Sequence, residues 1–156
     1  MIKMMKAPYP IILNLDRKRV AVIGGGKVAR RKIKKIVAAG VRPTVISPMI
    51  IDDIDPSQID WVKDSYHRKY VEKMDIIIAC TNDKAVNNQV KAEATHFQLV
   101  NNTSDKTNSD FYNLATLSSD DMFISVSTVG RSPRFAKKVK NEIKECVSKK
   151  FNKEFD

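Results

Sequence analysis

Two cysteines, Cys80 and Cys146, stand far apart in the 156 residues and form no C-x-x-C pair, so the sequence suggests neither a disulfide framework nor a zinc site. Histidine is equally scarce, with only His67 and His96, and a protein-held metal centre is not expected. No apolar run approaches the roughly 20 residues of a membrane span. The start, Met1-Ile2-Lys3-Met4-Met5-Lys6, lacks the apolar core of a signal peptide, so a cytoplasmic protein without membrane association is expected. Internal repeats and low-complexity segments are missing too. Aromatic residues make up 7% of the chain and do not interleave with its basic residues, which argues against nucleic acid as the partner.

Basic charge, by contrast, is abundant. Lys and Arg number 28 against 18 Asp and Glu, a formal net charge of +10. Residues 131–156 hold nine of the basic and four of the acidic residues, half of the excess. Such a chain attracts polyanions, nucleic acid or a multiply charged small molecule, although the same charge also fits a solvated basic helix face with no binding role.

Glycine is rare as well, but three of the five glycines are consecutive. The run Val20-Ala21-Val22-Ile23-Gly24-Gly25-Gly26-Lys27-Val28-Ala29 predicts a strand, a tight turn and a helix. As G-x-G-x-x-A it puts Gly24 at the strand end, Gly26 where a phosphate needs close backbone approach, and Ala29 where helix and sheet pack tightly. The helix N-terminus then offers free N–H groups and partial positive charge to a pyrophosphate. Gly24, Gly25, Gly26, Lys27 and Val28 are the expected cofactor-binding residues here. The same glycines also fit an ordinary βα turn without a ligand.

The rest of the chain supplies the context that this fingerprint requires. Tyr9–Leu15 reads as an edge strand or lead-in. From Lys27 to Ala39, Ala29, Ile33, Ile36 and Val37 make a helical stripe that Gly40 ends. Pro43-Thr44-Val45-Ile46-Ser47-Pro48 is a second strand whose end reaches the place of an adenine ribose. Ser47 and Pro48 stand where an acidic residue is usual, so the residues alone do not choose between NAD and NADP. Arg42, at the start of that strand, is not expected to reach the crevice. A short third strand is expected at Ile59-Asp60-Trp61-Val62, and Asp75–Ala79 is an apolar run of the kind buried on both faces of a parallel sheet. Thr81 or Asn82 is expected to cap the helix that follows, with Thr81 also in the cofactor set. Phe97–Asn102 returns as a strand with Asp105 just beyond it.

Alternation of strands and helices to this point predicts an α/β, Rossmann-like, doubly wound parallel sheet over residues 1–110. The pattern then changes. Met122–Thr128 alternates as a strand outside the sheet, and Ser132-Pro133 opens a helix with the stripe Ala136, Val139, Ile143, Cys146 and Val147. A strand and helix of this kind bury little alone, so residues 111–156 are expected to form a homodimerisation and substrate-binding segment.

Taken together, Tyr9–Leu15, Gly24-Gly25-Gly26-Lys27-Val28-Ala29, Ala79-Cys80-Thr81-Asn82-Asp83, Asn102–Asp105 and Ser125–Thr128 with Gly130-Arg131-Ser132-Pro133 resemble the precorrin-2 dehydrogenase family, which includes the N-terminal modules of siroheme synthases. The resemblance covers about Tyr9 to Lys140. It implies an NAD-dependent oxidoreductase that converts precorrin-2 to sirohydrochlorin in siroheme biosynthesis, working as a homodimer, with Fe(II) insertion in some members. Its key aspartate falls on Asp105, as a base for protons released with the hydride; read from the residues alone, Asp105 caps a turn with Asn102. Precorrin-2 carries eight carboxylates, which suits the basic charge without nucleic acid. Asn102, Ser127, Thr128, Arg131 and Ser132 are the expected substrate-binding residues. The sequence departs from the family at Phe111-Tyr112-Asn113-Leu114-Ala115, where Phe-x-x-Pro-Ala is common, and at Ser118-Ser119-Asp120-Asp121, where an Arg is customary. The helical domain that members usually carry after the long helix is expected to be absent or truncated. Two other classes of function fit the residues: a non-catalytic NAD- or tetrapyrrole-binding module, and a basic nucleic-acid binder.

Overall fold

The computed structural model describes residues 9–119, 122–129, 132–152, 154 and 155. The chain divides into two units, one of residues 9–112 and one of residues 113–156 with 1–8.

The first unit is a five-stranded parallel sheet: β1 (Val20–Ile23), β2 (Thr44–Ile46), β3 (Asp60–Val62), β4 (Ile76–Ala79) and β5 (Leu99–Asn102), in the order β3-β2-β1-β4-β5. All four residues of β1 and of β4 are buried, as central parallel strands require. Alternation sends Val20 and Val22 to one face and Ala21 and Ile23 to the other. Helix α1 (Lys27–Ala38) lays Ala29, Ile33 and Ile36 on the first face, and α2 (Lys84–Glu93) lays Val90 on the second. Helices on opposite faces make this a doubly wound, Rossmann-like sheet. Helix α1 runs to Ala38, and Gly40 follows at φ 80°, where a side chain would be strained.

Of three local expectations, one narrows, one changes and one holds. Residues 9–15 form no strand: Tyr9 and Ile12 are exposed and only Leu15 packs against the core, so the segment is a lead-in. The cap of α2 is Asp83 rather than Thr81 or Asn82, its carboxylate accepting from the Ala85 amide at 2.7 Å. Arg42 is fastened at the start of β2 by Asp60 at 2.7 Å and by the carbonyls of Ser57 and Ile59, as its position in the sequence requires.

Strand β5 ends the sheet, and side chains take the place of a further strand along it. The Val100 amide donates to Asp110 Oδ2 at 2.8 Å, and the Asp110 amide donates back to the Val100 carbonyl at 2.8 Å. Ser109 Oγ accepts from the Asn102 amide at 2.9 Å and reaches the Asn102 carbonyl at 3.0 Å. Lys91 holds Asp110 from α2 at 2.7 Å.

In the second unit β6 (Ala115–Ser118) pairs antiparallel with β7 (Phe123–Val126), and α3 (Pro133–Phe151) packs on both strands. Ser132 caps α3 by accepting from the Phe135 amide at 3.1 Å, with Pro133 at the first helical position. Of the expected stripe, Ala136 is buried, Val139, Ile143 and Val147 are half-buried, and Cys146 is exposed. Among the described residues no helix is long and apolar enough to cross a membrane.

Candidate functional site

The glycine turn joins β1 to α1 at the carboxyl edge of the sheet, where the strand order reverses between β1 and β4 and ligands of doubly wound folds bind. Its glycines have separate duties. Gly24 sits at φ 121°, and a Cβ there would lie 2.8 Å from the Cys80 carbonyl oxygen, so β1 and β4 approach too closely for a side chain. Gly25 carries the segment after β2: a Cβ would stand 2.1 Å from the Met49 carbonyl oxygen and 2.8 Å from Ser47 Oγ. Ile51 closes this contact, donating to the Gly25 carbonyl at 2.9 Å.

Gly26 differs from both, with nothing within 4 Å of where its Cβ would be. It is the N-cap of α1, without a side-chain cap and with no acidic residue in the first turn. The first helical bond is Arg30 N–H to the Gly26 carbonyl at 2.9 Å, so the amides of Lys27, Val28 and Ala29 precede the helical ladder. Open space above a glycine, beside uncapped amides at the positive end of a helix, fits the pyrophosphate of a dinucleotide. Lys27 and Val28 are exposed at this end.

Ser47 and Pro48 follow β2. Ser47 is buried and donates to the Met49 carbonyl at 2.6 Å, while its own carbonyl accepts from the Trp61 indole at 2.9 Å. Pro48 and Met49 are exposed. This end of β2 therefore offers a ribose backbone and apolar surface instead of a carboxylate. Thr81, after β4, turns its hydroxyl to the Asp83 carbonyl and to Asn87 Oδ1, each at 2.9 Å.

Asp105 follows β5 on the same carboxyl edge and caps the 3-10 turn Lys106–Asn108. Hydrogen bonds from the Thr107 hydroxyl, at 2.7 Å, and amide, at 2.8 Å, hold its carboxyl below the usual carboxylate range. The carboxylate is ionised at neutral pH, able to stabilise positive charge developing beside it or to take up a proton released there. Asn102 is not presented to a ligand: 1% exposed, its amide donates to Asn88 at 2.9 Å and accepts from Ser104 Oγ at 2.6 Å. Buried and bonded to Asn88 and Ser104, it orders the turn that carries Asp105.

In the second unit, Ser127, Thr128 and Ser132 gather in the turn that opens α3. Thr128 Oγ1 accepts from the Ser132 amide at 3.0 Å and donates to the Ser132 carbonyl at 3.0 Å, and Ser127 Oγ accepts from the Val129 amide at 3.0 Å. Val129 is held at φ 52°, a left-handed conformation costly for a β-branched residue. Arg131 lies outside the described residues.

Two polar residues that sequence patterns passed over are built into the sheet edge. Asn87 is completely buried on α2. Lys32, on α1, donates to Asn101 Oδ1 at 3.1 Å, and burial lowers its ammonium to about 8, with Arg31 pushing the same way. Burial also pushes the neighbouring Cys80 thiol up to about 12. In a one-dimensional pattern both Asn87 and Lys32 read as members of a solvated helix face.

Residues 11–115 match the family described as "Putative NAD(P)-binding", and residues 121–145 match "Sirohaem biosynthesis protein central". The precorrin-2 dehydrogenase of Bacillus subtilis is 30% identical over 146 residues, covering 91% of this chain and 90% of that protein. A siroheme synthase of Psychrobacter arcticus is 27% identical over 150 residues; the match takes in 93% of this chain but only 27% of that longer protein. Among solved structures, SirC, a precorrin-2 dehydrogenase, superposes with a TM-score of 0.75 at 28% identity, covering 89% of this chain and 70% of that one. With a dinucleotide turn at the switch point, an aspartate on the same sheet edge and these likenesses over nearly its whole length, the chain belongs to the precorrin-2 dehydrogenase family.

Proposed function

We propose that this chain oxidises precorrin-2 to sirohydrochlorin with NAD as the electron acceptor. The observation that carries the reading is the placement, within one unit, of an uncapped helix N-terminus at Gly26 and the ionised Asp105 turn on one edge of the sheet. When bound, NAD supplies the hydride acceptor.

The residues divide the remaining work. Gly26, Lys27 and Val28 would hold the pyrophosphate on a turn that Gly24 and Gly25 shape, Ser47 and Pro48 would border the adenosine, and Thr81 would close the far side. Asp105 would stabilise the positive charge left on the macrocycle as hydride departs, and one proton would then be lost. The two electrons leave with the hydride, so no further oxidant is needed. Ser127, Thr128, Arg131 and Ser132 hold substrate carboxylates through hydroxyls, guanidinium and the N-terminus of α3. Residues 111–156 also form the homodimer contact, and the protein works in the cytoplasm.

The test is anaerobic mixing of the purified chain with precorrin-2 and NAD, following NADH and sirohydrochlorin absorbance, with NADP in parallel. Turnover with NAD is expected. NAD binding without turnover would replace the enzyme by a binding module, and turnover only with NADP would overturn the cofactor assignment. Sedimentation of the same sample is expected to give a dimer.

A further inference from the structure

Helix α2 buries two residues, Val90 and Asn87, and only the first is apolar. A buried amide costs free energy unless its bonds are made, and Asn87 makes all that it can. Its Oδ1 accepts from the Thr81 amide at 3.0 Å and the Thr81 hydroxyl at 2.9 Å. Its Nδ2 donates to the Thr81 carbonyl at 3.1 Å and to Ser104 Oγ at 3.3 Å. Thr81 is in the turn after β4, and Ser104 is in the turn after β5.

One side chain thus touches both turns. From Ser104 the connection continues to Asn102 Oδ1 at 2.6 Å, and the Asn102 carbonyl accepts from the Asp105 amide at 3.3 Å. The next residue of the helix, Asn88, accepts from Asn102 at 2.9 Å and from Asn108 at 3.2 Å, so the two asparagines grip the Asp105 turn at separate points. Leucine would fill a similar volume without any of these bonds; what the amide adds is a fixed spacing.

We infer that Asn87 is a positioning residue, which sets the Thr81 turn and the Asp105 turn at one separation and so aligns the cofactor side of the site with its carboxylate. The inference rests on the reading that both turns serve a single oxidation. Asn87 itself touches neither cofactor nor substrate.

The test combines turnover with hydrogen exchange. Asn87→Leu is expected to lower kcat about 10- to 100-fold, the penalty of a small misplacement, and to weaken NAD binding through Thr81. Ser104→Ala is expected to lower kcat while NAD affinity, read by NADH fluorescence, stays unchanged. Because both act through the same connection, the double variant is expected to be no slower than Asn87→Leu alone. Asn87→Asp keeps the size and guards against misfolding of the leucine variant. Its kcat relative to wild type is expected to rise as pH falls, because a protonated carboxyl regains a donor for Ser104. Additive losses in kcat, or a flat pH ratio, would overturn the inference. Amide exchange is expected to accelerate in Asn87→Leu at residues 81–83 and at 103–107 together. If the wild-type chain fails to oxidise precorrin-2, the proposed function falls on that result. The exchange pattern still decides the inference, and acceleration confined to residues 81–83 would overturn it.

Discussion

Thr107 gives the Asp105 carboxylate two hydrogen bonds, through its hydroxyl and its amide. Structure and proposed chemistry therefore share one carboxylate, and two substitutions separate them. Asp105→Asn keeps an acceptor for Thr107 and removes the charge; Asp105→Ala removes both. Each is expected to lower kcat by about 10²-fold or more with NAD affinity unchanged, and the alanine variant is expected to melt at the lower temperature of the two, having lost the acceptor as well as the charge. The pH dependence has a definite sign. A carboxyl held below its usual range stays ionised through the neutral and mildly acidic range, so the step that needs it is expected to remain flat there. Its contribution to stability is present above the unfolded carboxyl's pKa and is lost as pH falls through the lower folded value.

The glycine turn gives opposite outcomes at adjacent positions. Gly25→Ala places a methyl against the Met49 carbonyl and is expected to cost about 1–3 kcal/mol of stability by denaturant melts. Gly26→Ala meets no protein atom and is expected to cost about 0.5 kcal/mol or less. It nevertheless fills the space proposed for phosphate. Losing one charge-assisted hydrogen bond there is expected to weaken NAD about 10- to 100-fold by titration.

Lys32 is expected to make stability rise with pH. An ammonium lowered to about 8 in the fold is charged more readily in the unfolded chain, so the unfolded state binds more protons between about pH 8 and the ordinary lysine value. Stability is expected to increase through that window. The raised Cys80 thiol opposes this above about pH 9, because the unfolded chain then loses its thiol proton first. Lys32→Met is expected to remove the rise between pH 8 and 9, read as the difference between melting curves of the two proteins.

The turn before α3 is tuned by its own residues. Ser132→Ala removes the cap and is expected to cost about 1 kcal/mol. Val129→Gly relieves the left-handed valine and is expected to stabilise by about 1 kcal/mol. Under the proposed function, Arg131→Ala raises the KM for precorrin-2 with little change in melting temperature.

The sequence announces the central strands because β1 and β4 are apolar on both faces, and it announces α3 through Ser132-Pro133. Strand β6 escapes notice: within Ala115-Thr116-Leu117-Ser118 only Leu117 is buried, so no alternation is visible until β7 is placed beside it. Tyr9–Leu13 misleads in the other direction, apolar in composition yet exposed. At the candidate site, the backbone conformation of Gly24 and the room above Gly26 follow from the strand, glycine and helix pattern. The buried state of Asn87 and Asn102 does not, since a polar residue reveals burial only through its partners, and theirs are distant in the chain.

The side chains along β5 also bear on how the protein behaves before and after it folds. An open strand edge is a template on which a second chain can grow in register. Asp110 and Ser109 occupy the outward-facing groups of Val100 and Asn102, and they belong to the same short segment as Asp105. The segment thus covers the strand edge and carries the carboxylate proposed for the reaction. Asp110→Ala, which uncovers the Val100 amide, is expected to raise the tendency to aggregate, read by light scattering.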